Sequence, residues 1–206
     1  LSMNGIIVVN KEKGYTSRDV VNIISKILGT KKVGHTGTLD PIAEGVLVVC
    51  VGKCTKLCDY FTSNEKEYIA EFKIGYETDT LDYTGNIIKK SNKIVRNEDI
   101  INVINSFKGE YNQEVPIYSA VKINGKKLYE YARNNISVDL PSRIVNIKGI
   151  DILNIDNNIK IKCLVSKGTY IRSLVRDIGC KLGTYATMTS LIRTKQGKFD
   201  ICDSYK

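Results

Sequence analysis

Residues 34–47 read GHTGTLDPIAEGVL, and they hold the chain's most chemically suggestive spacing. Asp40 stands directly before Pro41, which biases its backbone toward extended geometry. Glycines at 34, 37 and 45 permit backbone angles that other residues avoid. An acid is thereby held on a stiff support, flanked by the hydroxyls of Thr36 and Thr38 and the imidazole of His35. The same residues could make a surface turn with a capping Asp, but the loop's length and glycine content favour function.

His35 is the only histidine. A two-His zinc site and a His-ligand facial triad are therefore excluded, and a Ser-His-Asp hydrolase would have to use His35 itself. Residues 29–36, GTKKVGHT, nearly spell a phosphate-binding P-loop. His35 stands where that motif needs Lys, and the segment follows a predicted helix rather than a strand, so nucleotide binding is rejected. Cys50, Cys54 and Cys58 are spaced by four. Without closer pairs or a fourth ligand they read as small, semi-buried core thiols, and no metal is expected.

These groups need elements to position them. Residues 5–9 predict a buried strand. Thr16 and Ser17 open a helix with Asp19 in its first turn. Val20, Val21, Ile23, Ile24, Ile27 and Leu28 form its apolar face, and Gly29 stops it. Residues 30–45 are a long loop, 46–51 a continuous apolar strand and 53–61 a short helix. Tyr68, Ala70, Phe72 and Ile74 alternate with polar residues as in a half-exposed strand. Residues 77–86 read as a polar turn, 98–107 as a helix and 119–123 as a strand. Asn124-Gly125 signals a hairpin turn, and the helix-like stretch 128–133 follows it. Strands around 145–153 and 159–165, an amphipathic helix over 170–182 ending at Gly183, and a strand near 191–194 complete the chain. Without a regular βαβ alternation, the fold class is α+β around a largely antiparallel sheet.

The chain has 206 residues, 31 Lys+Arg against 22 Asp+Glu, a net charge of +9 and 42% hydrophobic residues. This composition suits a folded protein with a real core, and excludes a disordered tail or a disulfide miniprotein. No run approaches the roughly 20 apolar residues of a membrane span, and the short run 4–9 is no signal peptide. A soluble, cytoplasmic protein with reduced cysteines is expected, with no membrane partner. The excess charge fits either a polyanionic partner such as nucleic acid or a lysine-rich surface from an AT-rich genome. Leu1 and Ser2 precede Met3 and read as a cloning scar.

The Asp40 loop resembles, close to residue by residue, the signature of the TruB family of tRNA pseudouridine synthases. Other blocks are similar in the same order: residues 5–21 (GIIVVNKEKGYTSRDVV), Lys66-Glu67-Tyr68, 75–85 (GYETDTLDYTG), 115–133 (VPIYSAVKINGKKLYEYAR) and 166–174 (SKGTYIRSL). The likeness runs from about residue 5 to about residue 199. It implies the pseudouridine synthase fold, a largely antiparallel central sheet flanked by helices with an RNA-binding cleft. The implied activity is conversion of uridine 55 in the tRNA T-loop to pseudouridine, without cofactor or metal, by a monomer.

The resemblance also assigns roles. Asp40 falls on the family's aspartate, which could attack C1′ of the ribose or C6 of the base, or stabilise a departing base. Arg172 falls on the arginine that opposes the desolvation of that carboxylate. Tyr68 falls on the active-site tyrosine, able to stack on uracil and act on a proton. Tyr170 and Leu191 match positions lining the uridine pocket. His35 matches the histidine that takes part in flipping the base out. Lys11, read as a further substrate-binding residue, and Gly14 are kept in the opening segment, although Glu12 stands where the family often has Pro. Residues near 125–143 match an insertion that closes over RNA, with Lys126, Lys127, Arg133 and Arg143 for phosphates. A catalytic domain over 3–200 follows, with 201–206 as the start of a truncated or absent C-terminal RNA-binding domain. Two rivals are a related synthase with another RNA target, including the guide-RNA-dependent branch, and a non-catalytic RNA-binding or RNA-folding protein.

Overall fold

The computed structural model describes residues 3–206, so Leu1 and Ser2 lie outside the described residues. In chain order the elements are β1 (Gly5–Lys11), α1 (Ser17–Ile27), β2 (Val33–His35), β3 (Glu44–Val51), a 3-10 turn (Gly52–Leu57), α2 (Cys58–Thr62) and β4 (Lys66–Ile74). Then come β5 (Tyr76–Thr78), β6 (Ile87–Lys90), α3 (Asn97–Asn105), β7 (Gly109–Glu114), β8 (Lys122–Ile123), β9 (Lys126–Lys127) and α4 (Leu128–Arg133). The last are β10 (Ser142–Asn154), β11 (Ile159–Val165), α5 (Ile171–Leu182), β12 (Ala186–Gln196), β13 (Phe199–Asp200) and a second 3-10 turn (Ile201–Asp203). The architecture is α+β, as expected. The chain forms two compact units, and the division falls within β4, β11 and β12.

The first unit comprises residues 1–70, 162–167 and 190–206. Its strands run in the order β1, β3, β12, β4, β11, with β2 also paired to β3 and β13 to β12. β1 and β3 are antiparallel from Gly5 opposite Val51 to Lys11 opposite Gly45. β3 is buried from Gly45 to Val51, which its unbroken apolar run predicts. It is also where the sheet departs from antiparallel pairing, because β12 joins it in parallel at Ile192–Glu44 and Arg193–Gly45. Gly45 makes this crossing possible. Its φ is +100°, and a Cβ there would lie 2.2 Å from the Arg193 carbonyl oxygen.

Helix α1 begins where its caps predict. Thr16 Oγ1 accepts from the Asp19 backbone N–H at 3.0 Å, and Asp19 Oδ2 accepts from the Thr16 N–H at 2.8 Å. The helix buries only Val20 and Val21 of its apolar residues, however, and Ile23 and Ile27 are 46% and 74% exposed. β1 is likewise a half-exposed edge strand rather than a buried one, because only β3 pairs with it along its length. The predicted loop 30–45 contains β2, and the predicted helix 53–61 divides into a 3-10 turn and α2.

The second unit comprises residues 71–161 and 168–189. Antiparallel β7 and β10 pair from Glu114–Ser142 to Gly109–Ile147. α5 packs against α3 and β7. Ile104, Ile147, Ile161, Leu174, Ile178 and Met188 are its fully buried centre. α5 ends at Gly183 in the left-handed region, as predicted. Asn124 and Gly125, with φ of 49° and 80°, turn the hairpin that pairs Lys122 with Lys127. The expected strand 119–123 shrinks to Lys122–Ile123, and the expected strand 191–194 begins earlier, at Ala186.

Candidate active site

The Asp40 loop is fastened at nearly every residue. Thr36 N donates to Val48 O at 3.0 Å, and Pro41 O accepts from Gly14 N at 2.7 Å. Ser17 Oγ accepts from Leu39 N at 2.8 Å and donates to Leu39 O at 3.2 Å, which ties the start of α1 to the residue before Asp40. Ala43 N donates to Asp40 O at 2.9 Å, closing a turn over Pro41 and Ile42. Asp40 itself is half-buried.

A buried guanidinium holds both flanks of the loop. Arg193, 1% exposed, donates from Nε to Val46 O at 2.7 Å and from Nη2 to Gly37 O at 2.9 Å. Beyond it on β12, Gln196 Nε2 donates to Thr36 Oγ1 at 2.6 Å, Thr36 O at 3.1 Å and Phe61 O at 3.0 Å. Neither residue was singled out from sequence. The signal that could have found Arg193 is its parity with Leu191 on one strand, which puts both on the same face.

Two lysines share this interior. Lys11 is 1% exposed and donates to Tyr15 O at 2.6 Å and Glu12 O at 3.0 Å. Burial lowers its pKa to about 8, while the carboxylates of Asp40 and Glu44 act to raise it. Lys66 donates to Thr62 O at 2.6 Å and Asn64 O at 2.7 Å, and burial followed by Arg193 and Lys167 lowers its pKa to about 8. His35, half-buried, has its pKa lowered by burial, then by Arg18 and Arg193, so its ring is neutral at neutral pH. Tyr68 on β4 and Leu191 on β12 are both buried. Lys11, His35, Asp40, Tyr68 and Leu191 thus belong to the first unit.

Tyr170 and Arg172 belong to the second. Arg172 is buried, 4% exposed, with Nη1 donating to Thr80 O at 2.9 Å and Nη2 to Tyr118 O at 3.0 Å. The polar block 75–85 therefore has a purpose that composition did not reveal. Leu81 takes a φ of 65°, and the Asp82 carboxylate accepts from Thr80 and Thr84, shaping the turn that aims the Thr80 carbonyl. Tyr170 is the N-cap residue of α5, and the Arg143 guanidinium lies 5.5 Å from its ring centre. Lys127 and Arg133 lie over the Tyr129 ring at 5.4 and 5.2 Å, and Lys126 is exposed.

The three thiols behave as core residues. Cys50 is buried, Cys54 and Cys58 are partly so, and burial pushes the Cys50 thiol up to about 12.

The family model for TruB family pseudouridylate synthase (N terminal domain) matches residues 25–171. The chain belongs to this family. A protein of Fusobacterium nucleatum named tRNA pseudouridine synthase B is 51% identical over 200 residues, covering 97% of this chain and 70% of its own length. One of the same name from Clostridium tetani is 51% identical over 205 residues, covering 98% of this chain and 71% of its own. Among solved structures, a Cbf5-Nop10-Gar1 complex matches with a TM-score of 0.75 at 34% identity, covering 95% of this chain. This chain spans 50% of that one. The TruB family fold is thus the α+β pseudouridine synthase fold, and the chain is a pseudouridine synthase.

Proposed function

We propose that this chain isomerises uridine to pseudouridine at position 55 in the T-loop of tRNA, with Asp40 as the reacting carboxylate. The observation that carries the reading is the seat of Asp40: a half-buried acid on a loop pinned by Ser17, Gly14 and the buried Arg193. Relatives named tRNA pseudouridine synthase B, at 51% identity, support tRNA as the substrate.

The reaction breaks the N1–C1′ bond, turns the uracil and rejoins it through C5, with no net redox change. A held carboxylate suits each available route, whether attack at C1′, attack at C6 or stabilisation of the departing base. Tyr68 stacks on the uracil and serves the proton transfers, and Leu191, Tyr170 and Arg172 each take the role of the family residue they match. The neutral, flat ring of His35 fills the gap left by the flipped base. Lys11 keeps a positive charge that interacts favourably with the Asp40 carboxylate. Lys126, Lys127, Arg133 and Arg143 meet phosphates. The enzyme works in the cytoplasm as a monomer, without cofactor or metal.

Release of the C5 hydrogen from labelled uridine in T-loop RNA tests this. The native protein releases it, and Asp40→Asn binds the RNA but does not. Undiminished release by Asp40→Asn would remove Asp40 from the mechanism.

A further inference from the structure

The second unit contains a hydrogen-bonded assembly that the proposed chemistry leaves unexplained. Gln113, on β7, is fully buried. Its Oε1 accepts from Tyr170 N at 2.8 Å, and its Nε2 donates to Tyr170 O at 3.1 Å. One side-chain amide thus grips both polar atoms of one residue's backbone, as a neighbouring strand would. The orientation is unambiguous, because the Tyr170 N–H can only donate and must face Oε1. The second Nε2 proton goes to Tyr111 Oη at 2.6 Å, and Tyr111 Oη donates to Asp177 Oδ2 at 3.3 Å. Burial, then the Asp177 charge, raises the Tyr111 pKa, so the phenol keeps the proton it donates. Asp177 Oδ1 in turn accepts from Arg176 Nε at 2.9 Å.

The gripped residue sits at a particular place. Tyr170 caps α5 with extended backbone, φ −98° and ψ 114°, and its own side chain makes no capping hydrogen bond. Its carbonyl also accepts the first helical hydrogen bond, from Leu174 N at 3.1 Å. Arg172 follows two residues later. The direction in which both side chains leave the helix start is therefore set where Gln113 holds the backbone.

We infer that Gln113 is a positioning residue for the reaction, clamping the Tyr170 backbone so that Tyr170 and Arg172 are presented at a fixed angle. The inference rests on the functional reading above, in which these two residues serve the uridine site. Gln113 touches no substrate. It acts through Tyr170, and the Tyr111–Asp177 pair holds the amide itself in register. An error of about 1 Å in such a group is enough to slow an enzyme about 100-fold.

Gln113→Met keeps the volume but removes both contacts, and Gln113→Glu keeps an acceptor for Tyr170 N while losing the donor to Tyr170 O. Ser173→Ala is the control. It deletes another hydrogen bond between α5 and β7, from Ser173 Oγ to Glu114 O at 2.9 Å, without touching Tyr170. The readouts are thermal stability, affinity for T-loop RNA, single-turnover rate and amide exchange at Tyr170. Gln113→Met is expected to lose at least about tenfold in rate, with RNA affinity within about threefold of native and Tyr170 exchange accelerated. Gln113→Glu falls between native and Gln113→Met. Ser173→Ala lowers stability comparably but leaves the rate and Tyr170 exchange as in the native protein. An unslowed Gln113→Met, or a Ser173→Ala slowed equally, overturns the clamp alone. A native protein that makes no pseudouridine overturns the functional reading, and the clamp's role in the reaction with it.

Discussion

Lys11 and Lys66 make stability rise with pH through the neutral range, against the usual trend. Both are buried, with pKa values lowered to about 8 from an ordinary 10.5, chiefly because burial disfavours the charged form. In the unfolded chain both return to 10.5. Between pH 7 and pH 9 the unfolded chain therefore keeps two protons that the folded chain gives up, and stability rises wherever the unfolded state binds more protons. Over that window each lysine releases about one proton's worth of difference, on the order of 1 kcal/mol. Cys50 and Cys163 oppose this, because burial pushes both thiols up to about 12 and they stay protonated in the folded state. Unfolded, they ionise around 9.0, which removes part of the gain by pH 9. Burial raises the Cys180 thiol and the Asp200 hydrogen bond raises the Cys202 thiol, and both act in the same direction. A net gain on the order of 1 kcal/mol remains. Urea unfolding at pH 7, 8 and 9 with reductant present measures it, and Lys66→Met should remove about half of the lysine contribution to the pH dependence, on the order of 1 kcal/mol. Stability that stays flat or falls from pH 7 to pH 9 would refute this account of the interior around Asp40.

Other expectations follow from the same loop. Gly45→Ala places a methyl group 2.2 Å from a backbone oxygen at a φ of +100°, and thermal unfolding should show a loss of at least about 2 kcal/mol. Arg193→Met leaves the Gly37 and Val46 carbonyls without their guanidinium, costing about 3 kcal/mol in denaturant unfolding and slowing turnover more than it weakens RNA binding. With 31 Lys+Arg against 22 Asp+Glu, RNA affinity should fall steeply and linearly in a plot of log K against log salt, and a flat plot would show that the excess charge does not meet phosphates.

What sequence revealed followed local rules. The Thr16–Asp19 cap, the Asn124-Gly125 turn and the Gly183 stop each depend on a few adjacent residues, and each appears where expected. The turn that carries Asp40 was legible for the same reason, since its glycines and Pro41 stand beside it. Burial was less legible. The periodicity of α1 marked Ile23 and Ile27 as apolar but could not say how wide a stripe the sheet would cover. Arg193 and Lys66 were missed because a cation on a strand ordinarily faces water; Arg193 is buried against carbonyls of distant segments, and Lys66 against the Thr62 and Asn64 carbonyls just before it. Gln113 was missed likewise, because its partner lies 57 residues away. The early start of β12 was hidden by Ala186, Thr187 and Thr189, small or polar residues that alone do not announce a strand.

The bond from Arg193 to Val46 spans 147 residues, and that from Gln196 to Thr36 spans 160. A ribosome lays down the aspartate loop early and its two clasps very late. Until β12 has emerged, the parallel partner of Gly45 does not exist, and the Gly37 carbonyl and the Thr36 side chain lack their clasps. Such long-range closure is slow to find. Nascent chains stalled or cleaved before residue 193 should therefore carry Asp40 on an unset loop, so competence arises only once β12 has been translated and docked.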